Sequence, residues 1–204
     1  NPRLMPHLHL PLQSGNDRVL RRMARRTSRA EFRALVAEAR AHIPDLSIST
    51  DIICGFPGET EEEFAETMAY AEEIGFSRIH AFSYSPRPGT AAARMSGQIP
   101  GPAKRERTGR LIDLGERLSL AFHQRYENTT RPVLWETATG AEPDGLRWGG
   151  YTDNYIRVSA VGPADLMRRV TAVRLGEARV DGMSGVLTED WNSGFCEENR
   201  VFVG

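Results

Sequence analysis

Three short stretches of this chain combine glycine with hydroxyl, amide and charged groups: Gln13-Ser14-Gly15, Cys54-Gly55-Phe56-Pro57-Gly58-Glu59-Thr60 and Tyr84-Ser85-Pro86-Arg87-Pro88-Gly89-Thr90. Glycine lets backbone approach a ligand, and the polar groups beside it can bond one. Read singly, each stretch is a tight turn. Taken in register, the three could line one polar pocket. Asp51 adds a carboxylate between Thr50 and Ile52, and an acid in an apolar run needs a partner. Arg25 stands among Arg18, Arg21, Arg22, Arg26 and Arg29, a charge run that by itself describes a solvated helix face. His7 and His9 share one side of a strand, where a metal can be imagined, but two histidines without a third ligand more often satisfy pocket or core hydrogen bonds. Cys54 and Cys196 are the only cysteines. They imply no disulfide framework and cannot supply the clustered thiolates of an iron–sulfur or zinc site.

These residues need elements to position them. His7 to Leu12 reads as a short buried strand that breaks at Ser14-Gly15, followed by a helix capped by Asn16 or Asp17. Apolar positions at Leu20, Met23, Ala24, Phe32, Leu35, Val36 and Ala39 continue a helical pattern to about Ala41. Ser28 with Glu31 is a capping-box pair and splits that pattern in two near Thr27. Leu46 to Cys54 alternates as a strand. Thr60 caps a helix with an acidic first turn, which Gly75 ends. Ile79 to Tyr84 gives a further strand, and Lys104 to about Tyr126 a long amphipathic helix on Leu111, Leu114, Leu118 and Phe122. Strand and helix alternate three times, the pattern of parallel βα units, which bind ligands at the carboxyl ends of their strands. Three units are too few for an eight-fold barrel, and suit one half of a six-unit open one.

After Thr130 the texture changes. Short strand-like runs at Val133–Thr139, Leu146–Trp148, Tyr155–Ala160, Arg169–Leu175 and Ala178–Val180 are split by Gly, Pro, Asp and Asn, as in a small closed β-barrel of OB-like size. Alternation puts Tyr155 and Arg157 on one face and Ile156 and Val158 on the other. Tyr151, Asn154, Tyr155 and Arg157, with Arg147, Arg168 and Arg169, offer rings that can stack on bases and guanidinium groups that can meet phosphate. The opposing reading is that the tyrosines only cap a small core.

The strings HLHLPLQSGNDRVLRRMAR, STDIICGFPGETEEEF and FSYSPRPGTAAARM resemble the radical S-adenosylmethionine methylthiotransferases, and GGYTDNYIRV resembles their C-terminal TRAM barrel. The resemblance implies an α/β fold: the C-terminal half of a radical-SAM partial (β/α) barrel over residues 1–128, then a small all-β TRAM (OB-like) RNA-binding barrel over 129–187, with a tail of unknown role at 188–204. It implies S-adenosylmethionine contacts at Gln13, Ser14, Arg25, Asp51, Gly55, Phe82 and Tyr84. Gln13 would bond ribose hydroxyls, Arg25 the methionine carboxylate, and Asp51 a hydroxyl or the amino group. Gly55 would admit the adenine edge, which backbone around Phe82 and Tyr84 would border. RNA contacts would fall to Arg147, Tyr151, Asn154, Tyr155, Arg157, Arg168 and Arg169.

In this family the full-length parent carries two 4Fe-4S clusters, one held by a C-x3-C-x2-C loop. No cysteine of this chain would ligate either, so the chain alone is expected to be inactive. The parent reaction inserts a methylthio group through radical chemistry. The strings RIHAFSYSPRPGTAAARM and YTDNYIRV look most like the branch acting on threonylcarbamoyladenosine beside the tRNA anticodon, making the anticodon stem-loop the expected partner. The alternatives are isopentenyladenosine in tRNA, a ribosomal protein, or a non-catalytic RNA-binding protein.

Composition agrees with a globular chain: 40% hydrophobic and 26% charged over 204 residues. No apolar run approaches the roughly 20 residues that cross a bilayer, so no membrane role is expected, and two isolated cysteines fit a reducing cytoplasm. A net charge of -1 argues against a globally basic nucleic-acid binder but leaves local patches open. Lys104 is the only lysine, and the arginine excess reads as phosphate recognition or as codon bias. A sugar or phosphate enzyme would bind small anions at Gly55 to Thr60, but no acid, base or metal constellation at workable spacing supports it.

Overall fold

Parallel strands with helices between them make up the first unit of the computed structural model, which describes residues 4–188. The order is β1 (His7–His9), α1 (Asp17–Arg22), α2 (Arg29–His42), β2 (Ser47–Cys54), α3 (Glu61–Ile74), β3 (Arg78–Ser83) and α4 (Gly101–Gln124), with a 3-10 turn at Ala92–Arg94. The sheet runs β1-β2-β3, and β2 pairs with β3 in parallel.

Local chemistry sets the helix ends. Asn16 caps α1 by accepting from the backbone N–H groups of Arg18 and Val19. Ser28 and Glu31 close a capping box on α2, and Thr60 and Glu63 close a second on α3. Gly75 ends α3 in the left-handed conformation, at φ 64°.

The strands alternate, and that alternation gives the sheet two unlike faces. Ile48, Ile52 and Cys54 are fully buried and share a core with Phe32 and Val36 of α2, Phe64, Tyr70, Ala71 and Ile74 of α3, and Leu111 and Leu114 of α4. Leu8, Leu10, Ile79 and Ala81 pack against the same cluster. The other face carries His9, Asp51, Ile53, His80 and Phe82, all partly exposed.

The second unit takes in described residues 4–7 and 120–188, so the division falls inside α4, ahead of the change of texture at Asn128. Its strands β4 (Thr130–Glu142), β5 (Gly145–Thr152), β6 (Arg157–Gly162), β7 (Val170–Arg179) and β8 (Gly182–Leu187) close a barrel in the order β4-β5-β6-β8-β7. Only the β6–β8 pairing is parallel. Trp135, Trp148, Ile156, Val158, Val173 and Leu175 fill it, with Phe122 and Tyr126 joining the same cluster. The two indoles are satisfied: Trp135 Nε1 donates to Thr171 Oγ1 at 2.8 Å and Trp148 Nε1 to the Pro163 carbonyl at 2.9 Å.

One expected strand needs correction. Ala178 is not the start of a separate strand, because β7 runs on to Arg179 through a register shift between Leu175 and Ala178. The fifth strand is Gly182–Leu187, whose Gly182, Ser184 and Gly185 give no alternation to read. Most of the 188–204 tail lies outside the described residues. Among those described, no helix is long and apolar enough to cross a membrane.

Candidate functional site

An open cleft of about 450 Å³ lies at the carboxyl ends of the sheet strands, lined by Gln13, Asp51, Ile53, Phe82, Ser83, Tyr84, Ser85, Arg87, Thr90 and Ala92. This is the end at which parallel βα architectures take ligands, and the volume falls within the range of small-molecule sites. The backbone explains how distant residues meet. Gln13 donates its N–H to the Asp51 carbonyl at 2.8 Å and accepts from the Ile53 N–H at 2.9 Å, a parallel bridge that joins the loop after β1 to β2. Its φ is 70°, a conformation few non-glycine residues adopt. On β3, Phe82 stands opposite Ile53, and the Tyr84 N–H donates to the Cys54 carbonyl at 2.8 Å.

Four of the seven residues singled out for the cofactor therefore converge: Gln13, Asp51, Phe82 and Tyr84. The other three do not line the cleft. Ser14 is fully buried, with its Oγ 3.2 Å from Thr67 Oγ1 and accepting from the Asn16 N–H. Arg25 is exposed beyond α1, and Arg87 is the arginine in the lining. Gly55, at φ 73°, makes room for α4: a Cβ there would sit 2.4 Å from Lys104 Cγ. Gly15 likewise admits α3, since its Cβ would lie 2.9 Å from Thr67 Cα. Both glycines serve close packing of a helix on a loop. At Gly55, where the resemblance implies an adenine contact, this packing is a geometric reason for glycine in its own right.

Two α4 residues hold this rim, and neither was singled out from sequence. Lys104 Nζ donates to the Tyr84 carbonyl at 2.9 Å. Arg107, almost wholly buried, donates to both the carbonyl and Oε2 of Glu59, at 3.0 and 2.9 Å, while Glu59 Oε2 accepts from the Gly55 N–H at 2.7 Å. Burial pushes the Glu59 carboxyl above its usual range, against the pull of Gly55 and Arg107. Lys104's status as the sole lysine was the one available signal. On the opposite strand, burial and then the nearby Arg78 lower the His80 imidazole, against Asp51.

The lining suits a polar, charged small molecule with an aromatic part: an amide, a carboxylate and a guanidinium stand beside Phe82 and Tyr84. The Tyr84 hydroxyl is buried and has no hydrogen-bond partner among the described residues, a polar atom that a ligand would satisfy. These features fit S-adenosylmethionine. An iron–sulfur cluster is not matched by the described residues. Their one cysteine, Cys54, is buried in the apolar core, and burial together with the Glu59 charge pushes its thiol up to about 12.

In the barrel unit, Tyr155 is 55% exposed at φ 67° and stacks on two rings, Tyr151 with centroids 4.8 Å apart and planes at 19°, and His7 with centroids 4.4 Å apart and planes at 17°. Asn154 is buried and accepts from Thr152 Oγ1 at 2.7 Å, so it shapes the turn below the rings. Arg157 and Arg168 are exposed and take part in no ion pair among the described residues. Arg147 is tied to Glu142, and Arg169 to Asp165 at 2.6 Å.

Parallel strands, a helix-covered face and a polar cleft at the strand ends make this a βα ligand-binding architecture, and residues 3–71 match the radical SAM superfamily. The chain is 39% identical over 201 residues to the tRNA-2-methylthio-N(6)-dimethylallyladenosine synthase of Geobacillus kaustophilus (strain HTA426), covering 98% of this chain and 37% of that protein. It is 39% identical to the threonylcarbamoyladenosine tRNA methylthiotransferase MtaB of Bacillus subtilis (strain 168), covering 86% and 39%, and 42% identical to MtaB of Thermotoga maritima, covering 79% and 36%. Over most of its length the chain is similar to these tRNA methylthiotransferases. It spans less than two-fifths of the length of these relatives. Among solved structures, coproporphyrinogen III oxidase (HemN) from Escherichia coli aligns with a TM-score of 0.49 at 17% identity, over 90% of this chain and 46% of its own, a likeness too distant to bear on chemistry.

Proposed function

We propose that this chain supplies the cofactor cleft and the RNA-binding barrel of a tRNA methylthiotransferase that acts in the cytoplasm on N6-threonylcarbamoyladenosine beside the anticodon. The observation that carries the reading is the meeting of Gln13 and Asp51 in one cleft with Phe82 and Tyr84. In that cleft the Gln13 amide would bond ribose hydroxyls, Asp51 would accept from a hydroxyl or the amino group, and the strand end at Phe82 and Tyr84 would border the base. Bound there, S-adenosylmethionine supplies the reactive sulfonium, while the chain's own residues bind it, orient it and exclude water. With only Cys54 and Cys196 present, these residues alone do not cleave it.

The barrel, read as a TRAM domain, would take the anticodon stem-loop. Tyr155, 55% exposed and stacked on Tyr151 and His7, would have to exchange a protein ring for a base, and Arg157 and Arg168 are exposed cations without an ion pair among the described residues. Isopentenyladenosine is the second reading, favoured by the 39% identity to a dimethylallyladenosine synthase across 98% of the chain. Complementation of a strain lacking both modifications with the full-length protein, followed by mass spectrometry of tRNA nucleosides, separates the two. The methylthio derivative of threonylcarbamoyladenosine is the expected product. The isopentenyl derivative instead would move the assignment to the second branch, and neither product would overturn both.

A further inference from the structure

The sheet face next to the cleft brings together three metal-ligating side chains that the cofactor reading does not need as a set. Asp51 on β2 and His80 on β3 are register partners in a parallel pair, so their side chains rise from the same face one strand apart. His9 on β1 comes to the other side of Asp51, with Nε2 3.4 Å from Asp51 Oδ2. One ligating atom from each of the three lies within 4.8 Å of the others. A zinc-like ion holds such atoms at about 2.0–2.2 Å, which separates them by about 3.3–3.6 Å in a tetrahedron. The His9–Asp51 distance already suits that, and side-chain rotation closes the rest.

Two further observations point to a cation. His9 is held from behind: its Nδ1 is 2.9 Å from the hydroxyl of Ser49, which is 4% exposed, and this directs Nε2 at Asp51. A hydrogen bond to the second ring nitrogen is the usual way a metal-binding imidazole is oriented. The His80 imidazole, in contrast, makes no hydrogen bond with a described residue, and its ring stands edge-on to His9 at 5.9 Å. Three rigid strand positions, not a flexible loop, fix the set.

We propose that His9, Asp51 and His80 bind one divalent first-row transition cation of the zinc or cobalt type, with its open coordination position toward the cleft. Two imidazoles and one carboxylate favour such an ion over magnesium or calcium, which take oxygen ligands. The site stands whether or not the cleft takes S-adenosylmethionine, and Asp51, with two carboxylate oxygens, is the residue the two sites would share.

The test is titration of the untagged full chain with Co²⁺ alone, read by visible absorption, and with Zn²⁺ by calorimetry. One ion per chain is expected, with affinity falling at least about ten-fold in His9→Gln and in His80→Gln and unchanged in His42→Ala and Cys54→Ser. Circular dichroism of each variant confirms folding, and the two histidine variants carry the test independently. Absence of a Co²⁺ signal, unaltered binding in both histidine variants, or a thiolate-to-cobalt absorption that disappears in Cys196→Ser would each overturn the proposal.

Discussion

The Lys104 side chain runs through the space that a Cβ on Gly55 would occupy, and its ammonium reaches the Tyr84 carbonyl at 2.9 Å. One residue of α4 thus locks the ends of β2 and β3, the two strands that carry Asp51 and Phe82 into the cleft. Gly55→Ala meets both this stem and a φ of 73°, and a loss of about 1–3 kcal/mol is expected in urea denaturation. Lys104→Met keeps the stem and loses the hydrogen bond together with the ammonium over the Tyr84 ring, costing about 1–2 kcal/mol. A Gly55→Ala protein as stable as the parent would contradict this packing.

Arg107 leaves a buried carboxylate behind when it is removed. Arg107→Ala is expected to cost about 3–5 kcal/mol, and adding Glu59→Gln should recover much of it. A double variant no more stable than the single one would show that Glu59 is not the group left unpaired.

Glu59 and Glu63 should give opposite slopes of stability against pH. Burial raises Glu59, so its contribution is fully present below the ordinary value of 4.5 and is lost as pH rises through the higher folded value. For Glu63, burial is outweighed by bonds from Arg22 and the Thr60 backbone, which leave it lowered; its contribution is present above 4.5 and is lost as pH falls. Denaturation at a series of pH values should show the fall above 4.5 weakened in Glu59→Gln and the acid-side fall weakened in Glu63→Gln. Unchanged profiles would refute the assignment.

In the barrel, Tyr155→Ala should weaken tRNA binding by about 1–3 kcal/mol, the contribution of one stacked base. Arg157→Ala should lower the slope of log affinity against log salt by about one. Arg147→Ala and Arg169→Ala should matter less, because Glu142 and Asp165 already neutralise those side chains. Fluorescence anisotropy at several salt concentrations measures all four, and a ranking led by Arg147 would contradict the reading.

Much of this fold is written locally. The capping pair Ser28 and Glu31, the Thr60 cap and the Gly75 stop are effects of neighbours a few residues apart, so helix ends can be read from sequence. Alternation around Ile156 and Val158 likewise gives the inward face of the barrel. What escapes such reading depends on residues far apart in the chain. His80 meets Asp51 only through parallel register, Arg107 finds Glu59 only when α4 packs, and the reason for Gly15 and Gly55 lies in helices that arrive later. Arg25 shows the converse: its charge run reads as a solvated helix face, the family resemblance implies a cofactor contact, and the fold leaves it exposed and outside the lining.

The central claim is that the cleft bearing Gln13 and Asp51 holds the sulfonium cofactor. Equilibrium binding of S-adenosylmethionine to the anaerobic full-length holoenzyme, compared with its Gln13→Ala and Asp51→Ala variants, addresses it most directly. Each substitution removes hydrogen bonds to the ligand, and affinity should fall about ten-fold or more while circular dichroism stays unchanged. Wild-type affinity in both variants would contradict the account.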